Sequence, residues 1–329
     1  MSKRLHYNIN KTHHNSVNLV YPSLRVYPDF VVVQEIITTD DGQLERSMLM
    51  ETQWLGNRLE QLRKILRELE SMLVAFSGGV DSSFLLYLAH EVLGDRAQAI
   101  TFVSPFLSRQ ELDRAARFCK ERGIQHILVE IDPLAIEEIR ANNPDRCYHC
   151  KKQVFSRGLA EAKKMSIPLL VEGTQLSDAS DHRPGHLALA ELGIRSPLSE
   201  ASLSKKEVRI LSEELGLSSW NLPPMACLAS RIPYGTPLDL ESLARVEAAE
   251  RFLFNEGFYL VRVRDHHGTA RIELSPEEIA RLSDMDLRDR LVARFKTLGY
   301  AAVTLDLEGY RTGRLGELWE LETGEKLDK

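Results

Sequence analysis

The stretch Ser77-Gly78-Gly79-Val80-Asp81-Ser82 constrains this chain more than any other. An apolar run from Met72 to Phe76 precedes it and Ser83 to Leu93 follows, so the segment reads as strand, glycine turn, helix. Two adjacent glycines let the backbone come close to a ligand. Such a turn aims backbone N–H groups and the positive end of a helix dipole at one point, which makes an anion site. Ser77 and Ser82 add hydroxyls suited to phosphate oxygens, and the Asp81 carboxylate can hold Mg²⁺. The loop lacks the lysine of G-x-x-x-x-G-K-[ST] and is not G-x-G-x-x-G. The plain alternative is an ordinary glycine turn.

What surrounds the turn sets the fold class. Strands are expected at Gln98–Val103, Gln125–Ile131 and Pro168–Val171. Helices are expected over residues 51–70, at Ser108–Glu121 with a capping box through Glu111, at Pro133–Arg140 and at Lys151–Lys164. Strands alternating with helices mean a parallel α/β sheet, whose ligands bind beyond the carboxyl ends of the strands. The glycine turn and Glu172-Gly173-Thr174-Gln175 both fall there. After Pro223-Pro224 the pattern changes to a helix over Leu240–Asn255 and strands at Phe258–Asp265, Thr269–Leu274 and Tyr300–Leu305. The expected organisation is therefore an N-terminal extension over 1–50, partly disordered, an α/β domain over 51–222 and a smaller α+β domain over 223–329. Met50 reads equally as an alternative start.

Composition narrows the setting. The 329 residues are 43% hydrophobic and 27% charged, with a net charge of −6, which argues against a broad nucleic-acid surface. No apolar run reaches the roughly 18 residues of a membrane helix. The polar N-terminus has no signal-peptide core, so a cytoplasmic location with reduced thiols is expected.

Four cysteines in such a chain suggest metal or catalysis before disulfides. Cys147 and Cys150 form a C-x-x-C turn in a loop entering a helix, where the helix terminus, Arg146 and Lys151 are expected to lower the thiol pKa. Cys227 lies in a second, proline-bounded loop, and Cys119 reads as core. Two thiols and a distant third leave zinc, redox chemistry and a three-thiolate [4Fe–4S] cluster open. His182 and His186 are four apart but separated by Pro184, and with His266-His267 they read as solvated. Arg262 and Arg264 share a strand face, with Glu250 and Glu273 as candidate partners, and suit an anion or a salt-bridged surface equally.

The glycine turn resembles the PP-loop of the ATP pyrophosphatases. Over about residues 55–320 the chain is similar to the LarE family of ATP-dependent sulfur transferases. The motifs that carry this are Phe76–Ser82, Asn143–Lys151, Asp181–Gly185, Gly193–Leu198, Ala226–Gly235, Arg262-Val-Arg264 and Asp306–Gly313. Glu172-Gly-Thr-Gln175 departs conservatively from the expected Asp-Gly-Thr-Asn, and residues 1–50 match nothing in the family. The resemblance implies a PP-loop (adenine nucleotide alpha hydrolase-like) domain with a C-terminal α+β domain. It implies adenylylation of the carboxylates of a dicarboxylated nicotinic acid mononucleotide and their conversion to thiocarboxylates for the nickel-pincer nucleotide of lactate racemase. Ser77, Gly78, Gly79, Asp81, Ser82, Gly173 and Thr174 would then hold ATP and Mg²⁺. Arg231, Glu250, Arg262, Arg264 and Glu273 would form the substrate site. Cys147, Cys150 and Cys227 would ligate a [4Fe–4S] cluster, with Asp81 and Cys227 as the catalytic pair. A single cysteine matching Cys227 that gives up its own sulfur is the family's other route. Partners would be the nucleotide substrate and the nickel-pincer biosynthetic proteins, with a homo-oligomer expected and no membrane or nucleic acid.

Two competing classes stand beside this. An NAD- or GMP-synthetase-like amidotransferase would share the loop but use ammonia and not need three loop cysteines, and a tRNA thiolase would want a basic face, which a net charge of −6 does not advertise. A non-catalytic nucleotide-binding zinc protein would bind ATP without releasing pyrophosphate.

Overall fold

The computed structural model describes residues 24–26, 31–33, 42–179 and 184–326. The expected disorder within 1–50 and the motif residues Asp181, His182 and Arg183 lie largely or wholly outside them. Near the N-terminus β1 (Leu24–Val26) pairs antiparallel with β2 (Val31–Val33), a pairing the sequence had not suggested at Leu24.

The larger unit is built on four parallel strands, β3 (Met72–Ala75), β4 (Ala97–Val103), β5 (His126–Glu130) and β6 (Leu170–Val171), in the order β5-β4-β3-β6. From β3 the chain first adds strands on one side, then returns to place β6 on the other. That makes the carboxyl ends of β3 and β6 the topological switch point, where such sheets bind ligands. Around the sheet lie helices α1 (Gly42–Leu69), α2 (Val80–Leu93), α3 (Arg109–Arg122), α4 (Arg146–Lys164) and α5 (Lys205–Glu214). In α1 the leucine stripe Leu59, Leu62 and Leu66 is fully buried, as its helical spacing requires. Ser108 caps α3 with the expected capping box, and Cys119 on its inner face lies in the core.

The smaller unit carries α6 (Leu240–Asn255), the strands β7 (Val261–His266), β8 (Thr269–Leu274) and β9 (Ala302–Leu305), α7 (Met285–Thr297) and α8 (Arg314–Thr323). β7 and β8 form an antiparallel hairpin and β9 joins β8 in parallel. A separate apolar core welds the two halves, with Phe106 and Ile139 packed among Leu228, Ala229, Ile232, Leu238, Leu243 and Val246. That core positions the Cys227 loop against the α/β unit.

One expectation is corrected. Cys147 and Cys150 lie within the start of α4, which begins at Arg146, and not in a loop before Lys151. Asn142 makes the reversal, with φ 59°. Its side-chain amide donates to the carbonyls of Pro233 (2.8 Å) and Thr236 (3.0 Å), so the left-handed residue is held by contacts distant in sequence.

Candidate active site

At the switch point the glycine turn stands open. Gly78 takes φ +72° and rests on α3, where an added Cβ would come 3.1 Å from the Ala115 nitrogen. Gly79 caps α2 without a side-chain hydrogen bond, so no side chain caps the helix start, the kind of site that suits an anion. Ser77 and Ser82 face each other across the turn at 3.3 Å. Gly173 closes the crevice from β6: a Cβ there would lie 3.0 Å from the Ser82 nitrogen, so only glycine lets the two loops meet. Thr174 donates to Glu172 at 2.7 Å, and Ser196 donates to the same carboxylate. Asp81, in the first turn of α2, pairs with Lys205 at the start of α5. Lys205 was not singled out from sequence; the capping box Ser204–Glu207 marked its helix start, but nothing local showed that it reaches Asp81.

The second locus is where α4 meets the Cys227 loop. Arg146 is 2% exposed, and among the described residues no carboxylate pairs with it. Its guanidinium donates to Asn142, to the Ala229 carbonyl at 3.1 Å and toward the Cys147 sulfur at 3.7 Å. Burial opposes its charge, but the Cys227 and Cys147 thiols more than offset this and raise its pKa. The thiols of Cys147, Cys150 and Cys227 lie close enough to feel one another's charge. The expected lowering of thiol pKa does not appear at Cys150. Burial, then the neighbouring thiols, push Cys150 up to about 12. Cys227 is exposed as a residue, yet the protein around its sulfur pushes its pKa up against the pull of Arg146. Among the described residues no three His, Cys, Asp or Glu side chains converge to hold a metal ion.

The arginines form a layer beneath this loop. Arg231 is 1% exposed and pairs with Glu250 through Nε and Nη2, both at 2.9 Å. Its Nη1 donates to the carbonyls of Ala226 (2.5 Å) and Cys227 (3.0 Å), holding the loop's shape. Arg264 makes the same two-pronged contact with Glu273 (3.0 and 2.9 Å), which Arg271 also reaches at 3.1 Å. Of the two candidate partners for the strand arginines, Glu273 serves Arg264 whereas Glu250 is taken by Arg231. Arg262 has no ion-pair partner among the described residues. It donates to the carbonyls of Val261 (2.7 Å) and Pro224 and lies 4.9 Å from the Tyr310 ring centre. Burial, then the Arg231 charge, lower its pKa. A buried guanidinium without a carboxylate is an energetic cost that an incoming anion would relieve.

Comparison with known proteins agrees with this architecture. A family model described as NAD synthase matches residues 53–158. An uncharacterised protein of Synechocystis sp. is 42% identical over 80% of this chain and 98% of its own length. The pyridinium-3,5-bisthiocarboxylic acid mononucleotide synthase of Lactiplantibacillus plantarum is 39% identical over 80% of this chain and 95% of its own. The glutamine-hydrolysing GMP synthase of Chlamydia muridarum is 26% identical over only 54% of this chain and 36% of its own. The fold and the glycine turn define a PP-loop enzyme that uses ATP with Mg²⁺. The chain belongs to the LarE family, the ATP-dependent sulfur transferases of that class. No helix among the described residues is long and apolar enough to cross a membrane.

Proposed function

We propose that this chain adenylylates, one after the other, the two carboxylates of a dicarboxylated pyridinium mononucleotide and replaces each AMP with sulfur. The product is the bisthiocarboxylated nucleotide named for the Lactiplantibacillus relative, on the route to the nickel-pincer nucleotide of lactate racemase. In each cycle a carboxylate oxygen attacks the α-phosphorus of ATP and pyrophosphate leaves. Sulfur then adds to the activated carbonyl and AMP leaves.

The observation that carries this reading is the closeness of Cys147, Cys150 and Cys227 to one another and to the buried Arg146, which has no carboxylate partner among the described residues. In this reading Ser77, Gly78, Gly79, Ser82, Gly173 and Thr174 cradle the phosphates. Asp81 would hold Mg²⁺, which would leave Lys205, its partner in the protein alone, available to the phosphates. Arg262 and Arg264 hold the substrate's phosphate or carboxylate. Arg231 and Glu250 keep the Cys227 loop in place. Cys147, Cys150 and Cys227 would hold a [4Fe–4S] cluster, which supplies an iron with no protein ligand as a carrier of sulfide. Arg146, cationic and buried among the thiols, would balance the negative charge they carry as thiolate ligands. The same reading puts the domain junction at 222/223 and the protein in the cytoplasm as a homo-oligomer.

The test is the product pair. Incubation with ATP, Mg²⁺ and the dicarboxylated substrate should yield AMP and pyrophosphate, and ADP with phosphate would overturn the assignment. Asp81→Asn should nearly abolish turnover with an unchanged fold, and wild-type activity in that variant would remove Asp81 as a metal ligand.

A further inference from the structure

Two side chains from neighbouring strands meet behind the glycine turn. β3 pairs with β4 as far as Ala75 and Ile100, and the Phe76 amide still donates to the Ile100 carbonyl at 2.8 Å. Phe76 is therefore the last residue the sheet holds before the chain turns at Ser77. A side chain meets its carbonyl: the Thr101 hydroxyl, on β4, donates to it at 2.6 Å. The same hydroxyl lies 2.7 Å from Nε2 of His126, the first residue of β5. The hydroxyl gives its one proton to Phe76, so the imidazole must donate through Nε2. Burial lowers the pKa of the ring and favours its neutral form.

Packing does not ask for this hydroxyl. Thr101 is 2% exposed, and Ala99, two residues before it, belongs to the apolar core that also holds Phe76 and Phe118. Valine has a similar shape and no polar group to desolvate. The Phe76 ring is fixed as well, with its centre 5.3 Å from that of Phe118 on α3 and 6.1 Å from the His126 ring, edge to face. The Phe76 carbonyl and the Ser77 N–H belong to one planar peptide, so holding the first aims the second. That N–H points to the Ser82 hydroxyl at 3.4 Å, inside the phosphate turn. A line of hydrogen bonds thus runs from His126 through Thr101 and the Phe76–Ser77 peptide to Ser82.

We infer that Thr101 and His126 are positioning residues of the nucleotide site, setting the Phe76–Ser77 peptide and through it the Ser77 and Ser82 groups that face the phosphates. They act through the peptide and not by touching the nucleotide. The inference rests on ATP binding at the turn and is independent of which carboxylate is activated.

The experiment is calorimetric titration of the full chain with Mg²⁺ and an ATP analogue whose α- and β-phosphorus are joined by a methylene group, which cannot be cleaved there. Thr101→Val removes the donor to a buried carbonyl and frees the peptide, and should weaken binding about tenfold. Thr101→Ser keeps the hydroxyl and should stay within about threefold of wild type. His126→Phe keeps a ring beside Phe76 but loses the donor, and should weaken binding about threefold. The double variant Thr101→Val, His126→Phe should bind no more weakly than Thr101→Val, because the imidazole acts only through the hydroxyl. Valine-variant affinity within about twofold of wild type would overturn the inference. Fewer binding sites per chain at unchanged affinity would assign Thr101 to the fold alone and overturn it too. A serine variant as weak as the valine variant would make shape, and not the hydroxyl, the cause, with the same result. A double-variant loss equal to the product of the single losses would overturn the line from His126.

Discussion

Removing the Glu250 carboxylate should damage this protein more than any single surface change, and in a way that separates stability from chemistry. Glu250 is 4% exposed and accepts three hydrogen bonds, two from Arg231 at 2.9 Å each and one from the Val263 amide at 2.9 Å. Glu250→Leu leaves a fully buried guanidinium without its counter-charge and a buried amide without its acceptor. Breaking a buried pair from one side costs about 3–5 kcal/mol. That is a large share of the roughly 5–15 kcal/mol that holds a typical domain folded. Glu250→Gln keeps an acceptor and loses the charge, so its cost should be about half as large. The double variant Arg231→Met, Glu250→Leu removes both charges and should recover most of the lost stability. It should not recover sulfur transfer, because the carbonyls of Ala226 and Cys227 lose the Nη1 donor that shapes the loop. Urea unfolding of the three variants beside wild type measures the first part, and product formation per chain measures the second. A Glu250→Leu cost below about 1 kcal/mol would refute the buried-pair argument. Full sulfur transfer by the double variant would refute the role of Arg231 in holding the loop.

Three further outcomes follow from other parts of the molecule. Gly173→Ala drives a methyl toward the Ser82 backbone at 3.0 Å, so it should cost about 1–3 kcal/mol and weaken ATP binding more than pyridinium-nucleotide binding; equal affinities in mutant and wild type would contradict the close approach. Serine at Cys147, Cys150 or Cys227 should lower bound iron and sulfur transfer together in the anaerobically purified protein, since a hydroxyl is a poor soft-metal ligand, whereas Cys119→Ser should keep both; dehydroalanine at position 227 after turnover with a fully active Cys147→Ser would reject the cluster in favour of a consumed thiol. Burial pushes the Cys119 thiol up to about 12, well above its unfolded value near 8.5. The stabilisation from keeping it neutral is complete below about pH 8.5 and is lost as pH rises toward 12, at no more than about 1.4 kcal/mol per pH unit. Wild-type stability should therefore fall faster than that of Cys119→Ala between about pH 9 and 10.5, and parallel curves would contradict the shift.

Local chemistry made some features legible from the chain alone. The strand–glycine–helix turn at Ser77–Ser82 announced itself because backbone freedom, dipole and side-chain type are all local properties. So did the leucine stripe of α1, the capping box of α3 and the bounds of α6, since periodicity and caps act within a few residues. The start of α4 was misjudged because the residue that turns the chain into it, Asn142, is held by carbonyls some ninety positions away. For the same reason local sequence could not show that Lys205 meets Asp81, that Glu250 serves Arg231, or that Arg146 sits among three thiols without a carboxylate. It misjudged the Cys150 thiol pKa too, because a helix terminus is a local effect while desolvation depends on everything packed around the sulfur. What the sequence alone determined is the presence of a phosphate-binding turn, a parallel α/β sheet and the residue types for sulfur chemistry. Only the tertiary structure decided which of them share a site, because burial and charge pairing are set by contacts between segments far apart in the chain.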